Sequence, residues 1–75
     1  MEAKQSVTDA INIYAQVLKL EGLNNVQKSS IHKNFIKAYQ EKERLEFNRT
    51  IQLYYFDRSL EHLDKALYFG IDSQA

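Results

Sequence analysis

Between Ser29 and Phe69 the chain runs for 41 residues without a glycine or a proline, and its only two glycines, Gly22 and Gly70, stand on either side of that run. Strong helix formers fill the middle, Gln40-Glu41-Lys42-Glu43-Arg44-Leu45-Glu46, and no Gly, Pro or Asn-Gly turn chemistry interrupts them. The run predicts one long helix over about residues 29–69 and an all-α fold organised around it.

Ahead of the run, Ser6-Val7-Thr8-Asp9 has the form of a capping box, with Asp in place of Glu or Gln. Apolar residues then recur at Val7, Ala10, Ile11, Tyr14, Val17 and Leu18, the 3–4 spacing of an amphipathic helix. Gly22 suits the C′ position and Leu23 the hydrophobic contact that follows it, so the first helix is expected over residues 6–21. Asn24-Asn25 marks the connection, and Asn25, Ser29 and Ser30 each offer a start for the next helix. So short a connection sets neighbouring helices antiparallel. At the far end Gly70 is expected to stop the helix, Ile71 to fold back on it, and residues 72–75 to fray.

At about 100° per residue, Ile31, Phe35, Ala38, Leu45, Leu53, Phe56, Leu60, Leu63 and Leu67 fall within about 40° of one line, with Tyr39 at its margin. That common phase supports continuity. Lys42, Glu46 and Arg49 fall on the same line and make its centre polar. Asn48-Arg49-Thr50 can hold a turn, with Thr50 capping a third helix. The alternative is thus a monomeric three-helix bundle over residues 6–21, 29–47 and 51–69, with its turn near 48–50.

Size links this choice to oligomeric state. The 75 residues form one domain near the lower limit for a self-sufficient core, and no cysteine is present to staple it. A 41-residue helix is about 60 Å long and the first helix about 24 Å, so a hairpin of the two leaves the stripe from Leu53 to Leu67 wet. Each large side chain fully buried stabilises by about 1.5–3 kcal/mol. The continuous helix therefore predicts an antiparallel helical hairpin completed as a homodimer, and the broken one a solitary monomer. Ile36, Phe47, Ile51 and Tyr54 project about 140–200° from the main line, and Tyr54-Tyr55-Phe56 sweeps about 200° around the axis. Phe47, Ile51, Tyr54, Tyr55 and Phe56 are the candidate protein interface, for a second copy or for a different protein.

Ten basic residues balance ten acidic ones, which argues against a whole-molecule nucleic-acid or membrane-surface binder. The charge is segregated, however. Lys28, Lys33, Lys37, Lys42, Arg44 and Arg49 outnumber the acids of residues 28–49, whereas acids prevail in residues 50–75. The basic segment is a candidate contact for RNA or DNA; alternatively, Lys37 with Glu41 and Lys42 with Glu46 are solvated pairs. In a dimer, basic and acidic halves facing each other favour an antiparallel approach. Asp57, Glu61 and Asp64 share a face without enough oxygen ligands for a hard cation. His32 and His62 lie far apart in sequence, and a metal between them requires the fold to join them. Ser59 and His62 sit one turn apart, but a continuous helix has no free N–H groups for an oxyanion hole. No cofactor, metal site or catalytic set is expected.

Ala10-x3-Tyr14-x2-Val17-Leu18-x-Leu20 resembles the second helix of a tetratricopeptide repeat, and Ser59-x3-Leu63-x2-Ala66-Leu67-x-Phe69 echoes it. The two stretches are 49 residues apart, against about 34 in that family, so the resemblance stays with single helices. A polar amino terminus and the lack of a membrane-length apolar run make the cytoplasm the default location. Asn48-Arg49-Thr50 matches a glycosylation sequon but reads there as three polar helix residues. The expectation is a small non-enzymatic, homodimeric adaptor or regulator acting by protein–protein interaction. The alternatives are a helical nucleic-acid-binding dimer and a structural subunit of a larger assembly.

Overall fold

The computed structural model describes residues 2–74, with side chains described over residues 5–70. Three α-helices follow one another: α1 (Glu2–Leu18), α2 (Asn25–Leu45) and α3 (Arg49–Gln74). No strand occurs among the described residues. Because α1 starts at Glu2, Ser6 is inside it, and Asp9 accepts a hydrogen bond from Gln5 Nε2 (2.9 Å) in place of the expected capping box. α1 also ends earlier than residue 21. Its last turn tightens through Lys19 N–H to Gln16 O (3.1 Å) and Leu20 N–H to Val17 O (3.0 Å), and Gly22, at φ 86°, turns the chain. α2 starts at Asn25, not at the serines. Asn24 Oδ1 accepts from Gln27 N–H (2.8 Å) while Gln27 Oε1 accepts from Asn24 N–H (3.0 Å), a complete capping box.

The long helix over 29–69 does not form. α2 stops at Leu45, Glu46 is extended (φ −93°, ψ 135°), and the chain reverses through residues 46–48. Side chains replace the helical hydrogen bonds that are lost there. Glu46 Oε1 accepts from the N–H groups of Phe47 (3.1 Å) and Asn48 (3.2 Å). Asn48 Oδ1 caps α3, accepting from Thr50 N–H (2.9 Å) and Ile51 N–H (3.2 Å). Gln52 Nε2 reaches back to the carbonyls of Glu46 (2.7 Å) and Glu43 (3.3 Å) at the end of α2. The turn therefore lies near the expected 48–50, but Asn48 is its cap and Thr50 is one of the residues capped.

α2 is central. It packs on α1 and on α3, while α1 and α3 make no contact among the described residues, so the arrangement is bundle-like with α2 as its middle helix. Tyr14 of α1 sets its ring edge-on to Phe35 of α2 at 5.6 Å. Lys28 lies over Phe69 (5.3 Å), Phe35 stacks on His62 (4.1 Å, 7°), and Lys42 lies over Tyr55 (5.1 Å). Each step of seven residues along α2 is answered by seven back along α3, which fixes an antiparallel pair in register. Ser29 Oγ donates to Ala66 O (2.9 Å) across the pair. Gly70 does not stop α3, which continues to Gln74; a Cβ there would meet Ser29 Oγ at 3.5 Å, ordinary contact. The fold-back expected of Ile71 lies outside the described side chains. The radius of gyration is 13.1 Å, against about 11 Å for a compact chain of this length.

Asn48→Ala is expected to lower stability by about 1 kcal/mol through loss of the α3 cap, measured by urea denaturation. Gly70→Ala is expected to raise it by about 0.5–1 kcal/mol, since Gly70 is helical with room for a methyl group; loss of stability would mean that Gly70 is a helix terminator after all.

Candidate interaction surface

α3 carries two parallel stripes at 3–4 spacing. Gln52, Tyr55, Ser59, His62, Ala66 and Phe69 form one; Leu53, Phe56, Leu60, Leu63 and Leu67 form the other, one residue further on and so about 100° around the axis. A single neighbour covers one of them. α2 takes the first, whose rings meet the rings and lysines of α2 and whose small residues Ser59 and Ala66 are buried. The five apolar residues of the second stripe remain between 41% and 55% exposed. Phe35 and Ala66 are the only buried apolar residues among those described. The expected core line is thereby corrected: Phe35 is buried and Ile31, Ala38 and Leu45 are half-buried, but its α3 half faces outward. Breaking the helix was expected to yield a self-contained monomer. In the single chain the leucine stripe stays uncovered, because the turn re-aims α3 by its aromatic side.

The histidines meet at the centre of the α2–α3 seam. His32 and His62 Nδ1 atoms are 2.8 Å apart with ring centroids 5.0 Å apart, so the nitrogens point at each other almost along the line of centres. This geometry suits one neutral ring donating N–H to the lone pair of the other. No third His, Cys, Asp or Glu joins them as a metal-binding group among the described residues. Phe35 and Tyr39 stack on His62 (4.1 and 5.7 Å), and Phe69 on His32 (5.8 Å). Burial, then His32, Arg58 and Lys65, push the His62 imidazole down to about 4; burial and then Lys65 lower that of His32. Burial also raises the Tyr39 phenol above its ordinary value. Sequence distance hid this pair, although His62 falls on the 3–4 stripe of Tyr55, Ser59 and Phe69.

The other candidate residues are dispersed. Phe47 projects from the turn at 96% exposure, and Ile51, Tyr54 and Phe56 are exposed, whereas Tyr55 turns inward against Tyr39 and Lys42. Of the basic set, Lys28 and Lys42 are drawn onto α3 rings and Arg44 pairs with Glu41 on its own helix, while Lys33, Lys37 and Arg49 are exposed. Asp57, Glu61 and Asp64 line the outer edge of the leucine stripe, with Glu61 paired to Arg58 (3.1 Å). Ser59 Oγ donates to Phe56 O of its own helix (2.7 Å), and His62 faces His32 instead of Ser59. Among the described residues, no helix is long and apolar enough to cross a membrane. No family model, curated protein or solved structure matches the chain.

The seam makes stability pH-dependent in a definite sense. Both imidazoles are held below their ordinary value, so as pH falls the unfolded chain takes up protons first. The stabilising contribution is complete above about pH 6.5 and is lost as pH falls toward about 4. With discount for solvent screening of partly exposed rings, the loss is about 1–2 kcal/mol, to be read from urea denaturation at pH 7 and 4.5. His62→Phe, which keeps the ring stack, is expected to flatten the profile across that window.

Proposed function

We propose that this chain is a small helical interaction module that works as a homodimer, an adaptor or regulator acting by contact and not by catalysis. The leucine stripe of α3 carries the proposal. Its five apolar residues follow the 3,4,3,4 spacing by which paired helices interlock, and apolar patches of this continuity on small proteins mark association surfaces. Area points the same way. The chain exposes 5514 Å² at 8.8 kDa, whereas a compact chain of that mass exposes about 4,800 Å². The excess, roughly 700 Å², is close to the ~800 Å² that each partner contributes to a standard interface. Phe47, Ile51 and Tyr54 lie off the stripe and offer a separate aromatic surface for a different protein, as an adaptor requires.

Sedimentation velocity over a concentration series tests this. The expected result is a dimer at micromolar concentration, with Leu60→Glu or Leu63→Glu weakening it by about a hundredfold or more. Both side chains are already exposed in the single chain, so helical circular dichroism should hardly change. A monomer at every concentration would overturn the proposal.

A further inference from the structure

The two edges of the uncovered face carry opposite charge. Around α3, the order is Ser59 and Ala66 against α2, then Phe56 and Leu63, then Leu53, Leu60 and Leu67, then Asp57 and Asp64. The stripe therefore begins at the α2 seam and ends at an acidic edge. On α2, Phe35 and Lys42 meet the ring side of α3, while Ser29 meets the Ala66 side. Continuing around α2 past Ser29 and Ile36 come Gln40 and Lys33, both exposed. α1 lies on the other side of α2, where Tyr14 meets Phe35, and leaves this face open. One continuous surface thus runs from Asp57 and Asp64, across the leucines and Ile36, to Gln40 and Lys33.

Resting on the homodimer proposed above, we infer that the second copy docks with the two-fold axis parallel to α2 and α3, so that the leucine stripe of each copy lies against α2 of the other. Two face-to-face arrangements compete. An axis across the helices, centred on the stripe, sets α3 on α3, with Asp57 of each copy against Asp64 of the other and Lys33 level with Gln40. An axis along the helices sets the acidic edge of each copy against the basic edge of the other, which opposite charges favour and like charges disfavour. It also preserves level along the axis. In the seven-step register, with Phe35 opposite His62, Lys33 stands level with the Leu63–Asp64 turn. Lys33 of the partner subunit is thereby brought to Asp64. The apolar residues between the edges close a four-helix layer, the arrangement in which neighbouring helices pack with short connections.

Charge reversal tests the docking in the intact chain. Lys33→Glu alone and Asp64→Lys alone are each expected to raise the dimer Kd by about tenfold, since symmetry repeats the unfavourable pair twice. The double variant Lys33→Glu/Asp64→Lys should return to within about twofold of the original. Both positions are exposed in the single chain, and circular dichroism confirms folding. In the α3-on-α3 arrangement, Asp64→Lys would tighten the dimer and the double variant would give no rescue. Either result, in a protein that still dimerises, overturns this docking and leaves the interaction module standing. A wild-type chain that never dimerises overturns both.

Discussion

A helix can turn only one stripe toward a single neighbour, and α3 has two to offer. The stripe of rings and small residues wins the contact with α2 because it supplies directed interactions there. Lys28 and Lys42 sit over the faces of Phe69 and Tyr55, Phe35 lies flat on His62, and Ser29 donates to the Ala66 carbonyl. Ala66 and Ser59 are small enough to bring the backbones close. Leucines in that place would bury more apolar area but would leave the two histidines, and the lysines that bracket the seam, without partners. Everything else about the molecule follows from that choice of face.

The first consequence is a thin core. Two buried apolar residues among those described are few for a chain whose net stability must be the small remainder of large opposing terms. The second is that the same choice leaves the leucines free for another surface. Folding of the single chain thus draws on one side of α3 and leaves the other side for the association proposed above. The histidine pair belongs to the first side only, so protonation of its imidazoles acts on the α2–α3 seam.

Much of the architecture was legible in the residues. The all-helical class followed from the 3–4 spacing and from missing breakers, and the polar centre at Lys42, Glu46 and Arg49 marked the neighbourhood of the reversal. Its form was less visible, because the turn at residues 46–48 uses no glycine or proline and depends on Glu46, Asn48 and Gln52 folding their side chains onto backbone groups. The Asn24–Gln27 capping box was present in the spacing, yet two good capping serines nearby competed with it. The orientation of α3 was hidden by hydrophobicity itself. The most apolar line was read as core, whereas ring stacking and hydrogen bonding put a less apolar line inside.

The seven-residue rhythm of the α2–α3 seam has one further implication. Because rings recur every seven residues on α3, at Tyr55, His62 and Phe69, sliding α3 by two turns would set Phe35 against Phe69 or Tyr55 and still keep aromatic on aromatic. Side-chain chemistry alone therefore distinguishes poorly between neighbouring alignments. What selects one is the shortness of the reversal, pinned by Gln52 to the last carbonyls of α2. That clasp acts as the molecule's ruler, and the precision of the whole pairing is set at its tightest bend.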